Sequence, residues 1–318
     1  MGITAGEASK ASQIIRSVLR EVSKVIVGKE EEVKVILASM IAGGHVIIEG
    51  VPGVAKTTIA KSIAAAFRLS FSRIQFTPDV LPSDVLGTHV YVGDKFVFRK
   101  GPIFANIVLA DEINRANPRT QSAFLEAMQE GQVTIWGETF KLPKPFIVLA
   151  TMNPVELEGV YPLPEAQLDR FMTSIRLDYP DRDEEISVLE RSDFIEELPV
   201  NPVASAEDLL MLQKIALKIH VEKNIIGYIV DIIRATRRDD DVSLGASPRA
   251  GVHLLKASRA LALIEGRNYV IPDDVKYMAP KVLAHRIILK KKALASGLTT
   301  LDILERVLKT VKPPMPGV

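Results

Sequence analysis

Short apolar runs alternate with stretches of helical periodicity up to about residue 180. "HVIIEG" (45–50), "SRIQFT" (72–77), "NIVLADE" (106–112), "FIVLATMN" (146–153) and "TSIRLDY" (173–179) each read as a buried strand. Their near-continuous apolar character suits a parallel sheet covered on both faces. Between them "AKTTIAKSIAAAF", "RTQSAFLEAMQEG" and "PEAQLDRFM" carry the period of helices. Such alternation predicts an α/β fold, a three-layer domain around a parallel sheet. After "DYPDRDEEISVLERS" the strands stop, and four stretches from "AEDLLMLQKIALKIHV" to "PDDVKYMAPKVLAHRI" keep only the helical period. Ser247-Pro248 and Pro272-Asp273-Asp274 open two of them as helix starts do. The pattern thus divides the chain into an α/β domain over 1–182 and a small helical domain over 183–318. Two stretches interrupt it. Residues 89–104 carry Gly93-Asp94 between alternating apolar runs, and 131–146 carry Gly137-Glu138, with Trp136 just before; both read as hairpins.

Composition narrows the classes. The 318 residues include no cysteine, which removes disulfides and thiolate metal sites and fits a cytoplasmic protein. The net charge of +1 gives no electrostatic support for a nucleic-acid partner. The N-terminal stretch lacks a signal-peptide layout, Gly6 stands where a myristoylation signal needs Ser or Thr, and no apolar run is long enough to span a bilayer. "LKKK" (289–292) reads as a solvated face, and the five histidines show no metal-ligand spacing.

Candidate chemistry starts at "EGVPGVAKTTIA" (49–60). It follows a strand and opens a helix, as a phosphate cradle must. Gly50 and Gly53 can supply the turn, with Val51, Pro52, Val54, Ala55 and Thr58 completing the loop. Lys56 can reach the β- and γ-phosphates, and the Thr57 hydroxyl can bind Mg²⁺. The glycine usual before the lysine is Ala55, which fits wherever φ is negative. "IVLADE" ends a strand on Asp111 and Glu112. Paired acids there suit a Mg²⁺ ligand acting through water and a group that orients the attacking water. Asn153, at the end of "FIVLATMN", can aim an amide at the γ-phosphate from the neighbouring strand. Each feature alone has a plainer alternative: a Gly/Pro turn, a capping pair, an Asn-Pro turn.

Together, the loop, the acid pair, the Asn-ended strand and the trailing helices resemble an AAA+ ATPase with a helical lid. More narrowly, "GVPGVAKT", "LADEINRANPRTQSAFLEAMQEGQVT", "ATMNPVELEGVYPLPEAQLDRF" and "GASPRAGVHLLKASRALALIEGRNYVIPDDV" are similar to the MoxR family, the two hairpins matching its helix-2-insert branch. The resemblance implies a P-loop NTPase core binding ATP and Mg²⁺. In it Lys56 and Thr57 are the Walker A pair, Asp111 and Glu112 the Walker B pair, and Asn153 is sensor 1. Arg170 in "QLDRF" falls on the arginine finger, Arg249 in "SPRA" on sensor 2, and Val27-Gly28 on the segment around the adenine. Arg249 is expected on the nucleotide between the α/β domain and its own lid. The expected partners are further copies in a homo-oligomeric ring, a hexamer, and a client protein, often a von Willebrand factor A-domain protein. The expected activity is chaperone-like ATP hydrolysis. A nucleic-acid motor, a metal-chelatase-type subunit and a nucleotide-gated module with little turnover are the alternatives. Arg170 could be a surface charge, Arg249 could pair with Asp239–Asp241, and Arg115 and Arg119 could line a subunit interface or form salt bridges. Trp136 could be plain packing or sit on a hairpin that touches a client.

Overall fold

The structure is a computed structural model describing residues 3–51, 53–153, 159–190 and 200–314. Among these, the five expected strands form one parallel sheet in the order β2-β5-β8-β1-β9. They are β1 (Val46–Gly50), β2 (Phe71–Gln75), β5 (Ile107–Asp111), β8 (Ile147–Met152) and β9 (Thr173–Leu177). Alternation of side chains along each strand feeds two layers. On β5, Ile107 and Leu109 join one hydrophobic cluster, while Val108 and Ala110 join the other. The first layer holds helices α1 (Ala5–Val22), α2 (Glu30–Ile41) and α3 (Lys56–Ala66); the second holds α5 (Pro118–Glu130). β2 and β9 depart from expectation. Both are edge strands: on β2 Ile74 is buried but Arg73 and Gln75 are exposed, and on β9 Ser174 is half-buried and Arg176 exposed.

Both interruptions are hairpins. β3 (Gly87–Val92) pairs with β4 (Lys95–Lys100) across Gly93-Asp94, as expected. β6 (Gln132–Ile135) pairs with β7 (Glu138–Lys141), so its turn is Trp136-Gly137, one residue earlier than the sequence suggests. Both turn residues have positive φ, 52° and 82°. That is the geometry whose twist matches paired strands, and it favours Gly or Asn over Trp. Trp136 is accordingly not packed inside; it is 69% exposed.

The C-terminal part contains helices α8 (Ala206–Ala216), α9 (Lys223–Arg238), α10 (Pro248–Ile264), α11 (Pro272–Leu283) and α13 (Thr300–Thr310). Ser247 caps α10 as the sequence suggests, its side chain accepting from Ala250 N. Strands do not stop entirely: β10 (Val242–Leu244) pairs with β11 (Ile288–Leu289). Lys290, Lys291 and Lys292 are exposed. The helical part is not separated from the sheet by a gap in packing. One hydrophobic cluster runs from β1 and β5 through α1 and α2 into α10 and α11. Helix α1 lies against both α3 and α10, and the buried Ser12 hydroxyl donates to Ile264 O (2.7 Å). No helix among the described residues is long and apolar enough to cross a membrane.

Candidate functional site

Helix α3 begins directly after the loop that leaves β1, and no side chain caps it. Its first N–H groups are therefore available to an anion, with the helix dipole behind them. Ala55 occupies the position before the helix at φ 58°, ψ 18°. The sequence expectation of negative φ fails there. This is the left-handed conformation that the usual glycine reaches freely, and an alanine holds it at a cost of roughly 1–2 kcal/mol. Gly53 is also left-handed (φ 87°) with open space where a Cβ would stand. Lys56 Nζ donates to Gly50 O at 2.7 Å. Pro52 lies outside the described residues.

Opposite the helix start, β5 delivers Asp111 and Glu112. Gly53, Ala55, Lys56, Thr57, Thr58, Asp111, Glu112 and Asn153 line one cleft of about 350 Å³ with Arg73 and Gln75. Asp111 is nearly buried, and both its carboxylate oxygens accept hydrogen bonds. Thr151 Oγ1 donates to Oδ1 at 2.6 Å, and Arg73 donates to Oδ2 through Nε (3.0 Å) and Nη2 (2.6 Å). Glu112 has left-handed backbone (φ 57°), which turns the chain out of the sheet. Its N–H donates to Thr151 Oγ1 (2.9 Å), and its Oε2 accepts from Gln75 Nε2 (2.9 Å) and Arg115 Nη1 (3.1 Å). Arg115 is thus a salt-bridge partner in the protomer, while Arg119 is exposed.

Sequence reasoning missed Arg73, Gln75 and Thr151. The available signal was "SRIQFT", where Arg73 and Gln75 alternate with apolar residues and so share one face at the strand's end. Thr151 carried no signal, since threonine is ordinary in a strand.

The remaining predicted residues stand elsewhere. Gly28 (φ 70°) sits against Glu184 of α7 (Arg182–Glu190), so closely that a Cβ would overlap the carboxylate at 2.0 Å. Val27 beside it is half-buried, and neither lines the cleft at the start of α3. Arg170 follows α6 (Glu165–Leu168) and donates through Nη1 to Leu125 O at 2.9 Å. Arg249 Nη1 lies 3.9 Å from Asp169 Oδ2, so its partner is not the Asp239–Asp241 run, of which Asp239 and Asp241 bind Arg306 instead. Asp169 and Arg170 precede β9, whereas the phosphate loop leaves the far end of β1. The two strands run parallel from Val46↔Thr173 to Gly50↔Leu177. Four strand steps, about 13 Å, therefore separate the start of β9, which Asp169 and Arg170 precede, from the loop along the sheet. Arg249 does not line the cleft of its own protomer.

Residues 45–173 match the family described as "ATPase family associated with various cellular activities (AAA)", and 234–307 match the AAA lid domain. The chain is 44% identical over 320 residues to Chaperone MoxR1 of Mycobacterium tuberculosis, covering 97% of this chain and 84% of that protein. The chain belongs to the MoxR family of AAA+ ATPases. It is also 47% identical to the uncharacterized protein YeaC of Bacillus subtilis, covering 95% of each. A crystal structure of a candidate ATPase from Cytophaga hutchinsonii superposes with a TM-score of 0.91 at 41% identity, covering 98% of each chain. The fold of this MoxR-family chain is accordingly the P-loop AAA+ fold with its lid. A larger groove, about 680 Å³, lies between α9 and α10, lined mainly by isoleucine, valine and leucine with arginines at its rim. It has no carboxylate to pair with a phosphate-bound metal, and the helix start that suits phosphate lies at the smaller cleft.

Mg²⁺ fits the smaller cleft only in company. No group of three or more His, Cys, Asp or Glu capable of holding a metal occurs among the described residues. Mg²⁺ is commonly held by one or two protein oxygens plus substrate phosphates, and Thr57 and Asp111 are the pair that would supply them.

Proposed function

We propose that this MoxR-family chain hydrolyses ATP with Mg²⁺ in a homo-oligomeric ring, a hexamer, and uses turnover to remodel or activate client proteins. One observation carries the reading: the uncapped start of α3 faces Asp111 and Glu112 at one end of the sheet, while Arg170 and Asp169, the partner of Arg249, precede β9 at the other. A protomer so divided has a cradle without its arginines and two arginines without a phosphate. Stacking copies head to tail joins them, a heterologous contact of the kind that forms a ring when its rotation closes. Arg249 then serves the neighbour's nucleotide beside Arg170, rather than its own.

In each joined site the N–H groups of the loop and α3, with Lys56, hold the phosphates. Thr57 and Asp111 would hold Mg²⁺, which would supply neutralisation of the phosphate charge. Glu112 orients and polarises the attacking water once its carboxylate leaves Gln75 and Arg115. Asn153 senses the γ-phosphate. Two forked, permanently charged guanidiniums match charge spread over the transferring group. Val27 and Gly28, with α7, are the side from which the adenine is approached. We place the working boundary between sheet domain and lid at 182/183, and the site of action in the cytoplasm.

The chaperone reading rests on the relative's name and on the two hairpins. Trp136 stacks on His89 (4.8 Å between centroids) and meets Phe96 edge-on, and Tyr91 and Phe96 are exposed beside it. Such an aromatic surface suits contact with a polypeptide client, of which a von Willebrand factor A-domain protein is the type the family suggests. Phosphate release measured across protein concentration tests the core of this proposal. Specific activity should rise as copies assemble, and Glu112→Gln should keep ATP binding while losing turnover about 10²-fold or more. A flat concentration profile, or parental turnover in Glu112→Gln, would refute it.

A further inference from the structure

Asp169, one residue before the proposed finger, is tied almost entirely to the lid. Ser247, the cap of α10, donates to both its carboxylate oxygens at 3.1 Å. Arg249 lies at 3.9 Å, and Arg286 Nε donates to Oδ1 at 2.7 Å. Arg286 goes further. Its guanidinium is buried, donating from Nη1 to Met172 O (3.1 Å) and from Nη2 to Asp169 O (3.1 Å), and it also reaches Phe171 O and Val282 O. A third direction is filled by His253 Nδ1 at 2.6 Å. Burial, with the Arg286 charge second, pulls the His253 pKa down to about 3, so His253 faces the guanidinium as a neutral acceptor. His285, also facing this cluster and held neutral by burial, contacts Phe171 O (3.3 Å).

A buried guanidinium is an expensive way to join two parts of a chain. Apolar side chains of similar volume hold a junction as well or better, so an ion pair in that position is best explained by what it aligns. What this one aligns is the 169–172 backbone. Three carbonyls flanking the finger, those of Asp169, Phe171 and Met172, are gripped by one lid side chain through forked, directional donors.

We propose that Arg286 and Asp169 clamp the lid to the 169–172 segment, which Leu125 O and His45 O also seat on the sheet domain, so that Arg170 and Arg249 are held in one fixed register and reach the neighbouring site together. Arg286 is then a positioning residue for chemistry in another subunit. This rests on the trans reading above.

Mixing experiments separate the two ideas. Subunits carrying Glu112→Gln keep their arginines, and subunits carrying Arg170→Ala keep their cradle. Phosphate release should appear when the two inactive proteins are mixed; if it does not, the trans reading falls and takes the clamp with it. Arg286→Lys is then added to one partner at a time. In the Glu112→Gln partner, which donates arginines, it should lower the restored rate about tenfold or more through misplacement of reacting groups. In the Arg170→Ala partner, which supplies the cradle, the rate should hold within about twofold. Equal loss in both positions, or no loss in the donor, overturns the clamp while leaving trans completion standing. Asp169→Asn, which keeps shape and can still accept from Ser247, should show the same asymmetry more weakly. It decides the matter if Arg286→Lys does not fold.

Discussion

Replacing Thr151 by valine removes one oxygen from the centre of the site and almost no volume. The side chain is fully buried, so water does not take over its bonds. Its hydroxyl donates to Asp111 Oδ1 at 2.6 Å and accepts from Glu112 N at 2.9 Å. Losing the first removes a hydrogen bond to a charged group, worth about 1.5–3 kcal/mol, and losing the second leaves a backbone donor unsatisfied, about 1–3 kcal/mol. Asp111 keeps Arg73, and Glu112 N lies only partly buried, which points to the lower half of the sum, about 3–4 kcal/mol. Unfolding entropy near 2.1 cal/mol/K per residue over 318 residues gives about 0.7 kcal/mol/K, so Tm should fall by about 5 °C. Thr151→Ser keeps the hydroxyl and loses one methyl, about 1 kcal/mol, or 1–2 °C. Calorimetry on the pair checks the argument, and valine must cost more than serine. Turnover should follow the same order, because the hydroxyl holds the backbone from which Glu112 projects. A valine variant as stable and as active as the serine variant would refute the claim that this hydroxyl organises both acids.

Three further outcomes are expected. Arg249→Ala should leave nucleotide affinity unchanged in dilute, unassembled protein and remove assembly-dependent turnover by up to about 10³-fold, as for a trans arginine; weakened binding in the dilute protein would place Arg249 on its own site instead. Ala55→Gly should change stability by less than about 1 kcal/mol, since relief of the left-handed alanine is offset by greater freedom of glycine in the unfolded chain. A larger loss by denaturant titration would mean that the exposed methyl packs on something. His45, whose Nδ1 accepts from Val148 N at 3.0 Å, has its pKa lowered by burial from 6.5 to about 4. The unfolded chain therefore takes up a proton below about pH 6.5 that the folded chain refuses. Its contribution is whole above that pH and is lost progressively towards pH 4, on the order of 1–3 kcal/mol in all. His45→Asn, whose Oδ1 can still accept, should flatten that part of the stability profile.

The sheet was legible because three of its strands are buried on both faces and so nearly all apolar, and the hairpins because Gly-Asp and Trp-Gly-Glu break alternating runs. β2 and β9 were read as buried strands too, although Arg73, Gln75 and Arg176 mark them as edges. The cleft residues were legible because a phosphate loop and an acid pair are local patterns. What escaped was set by tertiary geometry. The bonds of Thr151 cross between strands, the sign of φ at Ala55 depends on how the loop meets α3, and the place of Arg249 depends on how the lid sits on the sheet. Arg286, buried and central to that seating, lies in "LAHRIIL", which gives no hint of a partner 117 residues away.

The packing of α1 has a consequence for synthesis. The hydroxyl of Ser12 finds its acceptor on Ile264, 252 residues later. At about 5–20 residues per second, roughly 13–50 s pass on the ribosome between making the helix and making the surface it covers. Through that interval the apolar face of α1, including Ala8, Ala11, Ile15 and Val18, has α3 to rest on but not α10. Helix α1 is thus fully buried only long after it is made, and a ribosome-bound chain should offer it to proteases and chaperones until the lid emerges.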